Sequence, residues 1–275
     1  MSVQLLIMID ELLSKSIINL DKPSGFTSRE VTERVKKILN CKKAGHAGTL
    51  DSNVTGVLIV ALNDAVKLMP LLMGLDKEYE GVMFLHRDID LQTLVKTIEE
   101  NFVGEITQTP PVKSSVARKP RVRIVYNFTI LDKVDRVVAF KTKVQAGTYI
   151  RKLISDIGEK LSIGAQLREL RRTRVGHFSV ADSVSIEQIE KKKNLKQILI
   201  PIEDAISHVT KVFVEDETID KIIHGAPIKE NDIYDVSDKF KLGDYVAIFS
   251  KENKFVAIGL VKNDENVFIK TDRII

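Results

Sequence analysis

Tryptophan is absent from this 275-residue chain and cysteine occurs once, at Cys41. A single cysteine leaves no partner for an internal disulfide, which fits a reducing, cytoplasmic setting. One cysteine and five scattered histidines do not assemble a zinc site of ordinary ligand spacing, so no metal is expected. No apolar run approaches the roughly 20 residues of a membrane helix. Leu5–Met8 is also far too short for the core of a secretory signal.

An excess of one charge is missing too. Lys plus Arg number 42 against 38 acids, a net of +4, which by itself says little about a partner. The distribution says more. From Pro111 to Arg174 there are 16 Lys and Arg against 5 acids, with runs at Arg118–Arg123 and Arg168–Arg174. Such a stretch neutralises several phosphates and makes affinity steeply salt-dependent, so it points to a nucleic acid. Residues 208–275 reverse the sign, with 10 bases against 13 acids.

What is present is a pair of glycine-built segments. The first is Gly45-His46-Ala47-Gly48-Thr49-Leu50-Asp51, followed by the apolar run Thr55–Leu62. Two glycines permit a sharp loop that another molecule can approach closely, and the β-branched run reads as a buried strand that anchors it. Asp51 then either caps a turn or presents a carboxylate for nucleophilic or general-base work. The second segment is Gln145–Arg151. Thr148 is the expected N-cap of a helix whose apolar stripe is Ile150, Leu153, Ile154, Ile157 and Leu161, placing Arg151 in its first turn. A cation is disfavoured at that end by about half a kcal/mol. A bidentate pair with Asp51 would compensate.

Taken in order, Leu20-Asp21-Lys22-Pro23-Ser24-Gly25 with Thr27-Ser28, the Asp51 segment, Lys77-Glu78-Tyr79, Gly147–Arg151 and Leu170–Arg174 resemble the motifs of the TruB pseudouridine synthases. The likeness spans about residues 16–178. The wording around Lys77–His86 and Gln108-Thr109-Pro110-Pro111 is most similar to the archaeal and eukaryotic dyskerin-type branch, the catalytic subunit of H/ACA guide-RNA particles. The resemblance implies an RNA isomerase that needs no cofactor, with Asp51 as the catalytic aspartate, Arg151 as its ion partner and Tyr79 stacking on the target base. It further implies Tyr149 lining the pocket, Leu170 against the base edge, and Lys22, Arg118, Arg171 and Arg172 among the RNA contacts. His46 either fills the space left by an extruded nucleotide or is a loop histidine bonded to backbone. The implied partners are guide RNA, rRNA and tRNA, including its T-loop uridine, together with small accessory proteins and a kink-turn-binding protein. The chain carries no lysine-rich tail, which favours an archaeal source.

Along the chain the pattern is α+β. Thr27–Glu30 has capping-box spacing before the stripe Val31, Val35, Ile38 and Leu39, and Leu91, Leu94, Val95, Ile98 and Phe102 mark another helix. Strands are expected around Leu58, Met83, Ile130 and Phe140, the last two joined by a turn at Asp132–Arg136. The implied fold is a mixed, mainly antiparallel sheet with flanking helices, over residues 1–207 with an extension at 1–15. A polar joint at Glu190–Asn194 leads to short strands at Val212–Val214, Tyr245–Phe249, Phe255–Val261 and Val267–Ile269, with a helix at Thr218–His224 ending on Gly225. Residues 208–275 therefore suggest a small β-barrel, resembling a PUA domain.

Overall fold

The computed structural model describes residues 12–110, 117–191, 195–264 and 267–274. The patch Leu5–Met8, Pro111 and the end of the polar joint, Lys192–Asn194, lie outside them.

A ten-stranded sheet forms the larger part. Its strands are β1 (Ser16–Lys22), β2 (Ala44–Ala47), β3 (Thr55–Leu62), β4 (Lys77–Leu85), β5 (Gly104–Gln108), β6 (Arg121–Val134), β7 (Val137–Val144), β8 (Ala165–Val175), β9 (Phe178–Ser179) and β10 (Ile200–Pro201). The order across the sheet is β10-β1-β3-β8-β4-β7-β6-β5, with β2 beside β3 and β9 beside β8. The pairings are antiparallel except for β3 with β8. That parallel junction is short and close. A methyl group on Gly56, at φ +102°, would sit 2.1 Å from the Arg172 carbonyl oxygen, so only glycine lets the two strands meet.

Strand β3 explains its own sequence. Val57, Ile59 and Ala61 enter one apolar cluster while Leu58, Val60 and Leu62 enter another on the opposite face. A strand buried on both sides reads as a continuous apolar run. Each such side chain contributes about 1.5–3 kcal/mol, which makes β3 a firm hanger for the loop at its start. Helix α1 (Ser28–Leu39) covers one of those faces with Val31, Val35 and Leu39. Its capping box forms as expected: the Glu30 backbone donates to Thr27 Oγ1 at 3.2 Å and the Thr27 backbone donates to Glu30 Oε2 at 2.7 Å. Helix α2 (Leu91–Phe102) buries Leu94, Ile98 and Phe102, whereas Leu91 at its start stays exposed. Helix α3 (Ile150–Lys160) buries Ile150, Leu153, Ile154 and Ile157. Its N-cap is Tyr149 rather than the expected Thr148, whose hydroxyl donates backwards to the Gln145 carbonyl at 2.8 Å.

The C-terminal part is a five-stranded sheet ordered β12-β11-β13-β14-β15, from β11 (Lys211–Val214), β12 (Ile233–Val236), β13 (Tyr245–Ser250), β14 (Phe255–Asp264) and β15 (Val267–Ile274). Helix α4 (Asp216–Ile223) is followed by Gly225 at φ +83°. Here too alternation is buried twice over. Val246 and Ile248 face the module's own core with Ile222, while Ala247 and Phe249 join Leu68, Phe178, Ala205 and Ile206 of the larger part. The C-terminal module is thus seated on the larger part by apolar packing.

Candidate active site

Asp51 lies on the connection between β2 and β3, and Arg151 is the second residue of α3. One hundred residues apart in sequence, they meet: Arg151 Nη2 donates to Asp51 Oδ2 at 2.8 Å. The contact is single, not the bidentate fork expected. Both side chains are more than half exposed, at 58% and 63%, so the pair adds at most about 1 kcal/mol to stability. It faces solvent, where a ligand can reach it.

The neighbours of both residues pack together underneath. Leu50 and Val54 from the Asp51 loop, Ile150 from the start of α3 and Tyr79 from β4 belong to one buried cluster, against which Leu170 of β8 is partly buried. Tyr79 is 7% exposed. Tyr149 precedes this group as the helix cap and is half-buried. Four elements distant in sequence therefore converge on one spot.

The loop itself is fastened from below by cations. Lys22 is fully buried, and its ammonium donates to the carbonyls of Pro23 at 2.8 Å, Ser52 at 3.2 Å and Val54 at 2.8 Å. All three protons are thus committed. Burial holds its pKa below the ordinary lysine value, against the opposing pull of Asp51. Arg172, 1% exposed, donates Nε to the Val57 carbonyl at 2.7 Å and Nη2 to the Gly48 carbonyl at 2.9 Å. Neither residue can serve as the RNA contact expected of it, because each is turned inward and spent on main-chain oxygens. Ser28 completes the clamp: its hydroxyl accepts from the Leu50 backbone at 2.8 Å and donates to the Leu50 carbonyl at 3.1 Å.

Gly48 takes the left-handed conformation at φ +83°, whereas Gly45 is an ordinary strand residue of β2. His46 also sits in β2. Its Nδ1 is 3.2 Å from Thr32 Oγ1 and its Nε2 is 3.3 Å from Thr49 Oγ1. Burial, with the Arg172 charge adding to it, pushes its pKa below the usual histidine value. The ring bridges side chains instead of bonding backbone, and it lines a shallow cavity of about 300 Å³ with Arg29, Thr32 and Glu33.

Arg171, next to Arg172, points the other way, as alternation on a strand requires. Its Nη1 and Nη2 reach Asp21 Oδ1 and Oδ2 at 3.0 and 2.7 Å. Arg118 is exposed ahead of β6. Two residues escaped the sequence reading as parts of the site. Lys77, 5% exposed, donates to the carbonyls of Met73, at 2.7 Å, and Leu75. Gln108, 2% exposed, holds the Tyr149 backbone. Lysine and glutamine ordinarily sit at the surface, and nothing in their spacing marks them as buried.

Comparisons with known proteins give the family in which this site occurs. Residues 36–150 match the N-terminal domain model of the TruB family pseudouridylate synthases, residues 151–207 the tRNA pseudouridylate synthase B C-terminal domain, and residues 210–269 the PUA domain. The chain is 40% identical over 275 residues to a probable tRNA pseudouridine synthase B of Methanopyrus kandleri, covering 96% of this chain and 81% of that one. It is 42% identical over 254 residues to a protein of the same description from Pyrococcus horikoshii, covering 88% and 76%. Among solved structures, it superposes on a chain of a Cbf5-Nop10-Gar1 complex with a TM-score of 0.87 at 36% identity, over 97% of this chain and 86% of that one. A chain of an H/ACA RNP bound to a substrate RNA containing 2'-deoxyuridine gives 0.84 at 34% identity, over 97% and 86%. With the acid, its guanidinium partner and the aromatic wall brought together inside these matched regions, the chain belongs to the TruB family of pseudouridine synthases.

Proposed function

We propose that the chain isomerises uridines as the catalytic subunit of an H/ACA guide-RNA particle, with Asp51, Arg151 and Tyr79 at the reacting nucleotide. The observation that carries this is the 2.8 Å contact between Asp51 and Arg151 on an open face, above a loop held by buried cations. In the reaction the bond from C1′ to N1 breaks and a bond from C1′ to C5 forms. The hydrogen on C5 leaves to solvent and N1 takes up a proton, so no oxidant or cofactor is consumed. Asp51 supplies the carboxylate that acts on the nucleotide, and Arg151 aims it. A uridine in a helix hides its glycosidic bond and must be extruded, which costs stacking that an aromatic face restores at about 1–3 kcal/mol. Tyr79 at the back wall is that face, Tyr149 and Leu170 flank it, and His46 stands where the emptied position in the RNA would be. Arg118 and Arg171 remain as phosphate contacts.

The solved relatives are described as a Cbf5-Nop10-Gar1 complex and a substrate-bound H/ACA RNP. They support assembly with small accessory proteins in an H/ACA particle acting on a substrate RNA; a kink-turn-binding protein, a PUA-like module gripping the guide, and rRNA as the substrate complete the reading we propose. The relatives described as probable tRNA pseudouridine synthase B favour a second activity on tRNA, which we propose to be at the T-loop uridine and without a guide. Purified protein incubated with RNA tritiated at C5 separates the two: release only with guide and accessory proteins supports the particle, and release from tRNA alone supports independent action. Asp51→Asn, which removes charge with almost no volume, is expected to lower turnover by about three orders of magnitude and leave RNA affinity nearly unchanged. A variant that keeps most of its activity would refute the assignment.

A further inference from the structure

Arg151 owes its position to the first turn of α3, and that turn is not capped by its own sequence. Tyr149, the N-cap, makes no side-chain capping bond. Instead Gln108, at the end of β5, holds the Tyr149 main chain from both sides. The Tyr149 N–H donates to Gln108 Oε1 at 3.0 Å, and Gln108 Nε2 donates to the Tyr149 carbonyl at 3.2 Å. The two main-chain groups fix which end of the amide is which. The same carbonyl also accepts from the Leu153 N–H at 2.9 Å inside the helix. Gln108 is 2% exposed, so truncating it leaves the Tyr149 N–H without its acceptor, while the Tyr149 carbonyl keeps the Leu153 N–H, and an unmet donor costs more than a lost surface bond.

A second glutamine fastens the preceding turn. The Gln145 backbone donates to the Ile124 carbonyl at 2.8 Å, and its side-chain Oε1 accepts from the Ile124 N–H at 3.3 Å. Ile124 is paired with Glu105 and Arg121 with Gln108 in the β5–β6 ladder. By its hydrogen bonds the start of α3 therefore hangs on the β5–β6 pair, while Ile150 packs against Leu50 and Val54 of the Asp51 loop. The acid and its partner are held by separate parts of the sheet: Asp51 by Lys22, Arg172 and Ser28, Arg151 by Gln108.

We infer that Gln108 is a positioning residue for catalysis, setting the reach of Arg151 to Asp51 by clamping the backbone two residues before it. The inference rests on the reading of Asp51 and Arg151 as the catalytic pair. A displacement of about 1 Å at a reacting group is enough to cost on the order of 100-fold, and freeing an uncapped helix start allows that much. The clamp engages only the main chain of Tyr149 and leaves its side chain and the exposed arginines unbonded, so its loss should appear mainly in the rate rather than in binding.

The test is a double-mutant cycle in single-turnover reactions with the assembled enzyme and its substrate RNA. Gln108→Ala is expected to slow the chemical step about 10–100-fold with RNA affinity unchanged. In an Arg151→Ala background the same change should cost less than about 2-fold, since there is no guanidinium left to place. Gln108→Glu guards against a folding defect. It keeps the acceptor for Tyr149 N–H but turns an oxygen toward the Tyr149 carbonyl, and protonation restores the donor. Its rate relative to the parent should therefore recover as pH falls toward 5, which a merely packed side chain would not do. An equal loss in both Arg151 backgrounds, or a Gln108→Glu rate ratio flat with pH, would overturn the inference. Full activity of Arg151→Ala alone would overturn the pair on which it rests, and so separates the two failures.

Discussion

The floor beneath the Asp51 loop and the exposed rim above it use the same residue types for opposite ends. In the floor, Lys22, Lys77 and Arg172 are buried and reach only main-chain carbonyls. On the rim, Arg151 and Arg171 are exposed and reach carboxylates. A buried cation without a carboxylate is expensive unless its donors are satisfied. Here the expense secures the shape of the Asp51 loop, because the oxygens engaged, those of Gly48, Ser52, Val54 and Val57, bracket the acid on both sides. The rim pairs contribute little to stability and remain free to exchange partners. Positive charge in this protein builds the loop from beneath, and in the function proposed it meets the substrate from above.

The comparison breaks most sharply at Arg172. Arg172→Met keeps much of the volume but leaves the Gly48 and Val57 carbonyls without their donors. It is expected to destabilise the protein by about 2–5 kcal/mol, about 1–3 for each unmet acceptor, read as a shift in the urea midpoint at constant slope. A loss below about 1 kcal/mol would return Arg172 to the exposed class and remove the contrast between floor and rim.

Lys77 gives the floor a signature in pH. Burial, with Arg172 adding to it and Asp76 opposing, lowers its pKa from 10.5 to about 8. Between those values the unfolded chain binds the proton and the folded one does not, so stability rises with pH across the window and is lost on returning below pH 8. The gain is bounded at about 3 kcal/mol. Lys22 is shifted in the same direction. Unfolding by urea at pH 7.5, 8.5 and 9.5 should show the rise in the parent and a shallower one in Lys77→Met. An unchanged slope would mean that the ammonium is not paying for its burial.

The floor is also where sequence and structure part. Strand β3 and helix α1 were legible because their apolar residues recur at the period of the element. The meeting of Asp51 and Arg151 was legible from an arginine at the unfavourable end of a helix, though as a fork where the structure has one bond. Strand β8 escaped, since Ala165–Val175 carries Arg168, Arg171, Arg172 and Arg174 and a buried arginine at a core position spoils the alternation on which strand recognition depends. The same disguise made Lys22 and Arg172 read as RNA contacts. Periodicity reports which face a residue is on only when the buried face is apolar, and beneath this loop it is cationic.

Arg171 tests the rim by the smallest effect. Held by two hydrogen bonds to Asp21, with 41% of its own side chain and 33% of the aspartate exposed, it contributes no more than about 1 kcal/mol to folding. Arg171→Ala should therefore leave the urea midpoint almost where it was. If the guanidinium exchanges Asp21 for a phosphate, its removal lowers the slope of log affinity against log salt by about 1. Asp21→Asn sharpens the point, because it removes the competitor and keeps the arginine. That variant should bind RNA about 2–5-fold more tightly at low salt, the gain corresponding to a weakened exposed ion pair, and the advantage should shrink as salt rises. Should Asp21→Asn bind no better and Arg171→Ala keep the parental slope, the pair belongs with the floor as a structural brace, and the division between the two layers would lie one residue further out than drawn here.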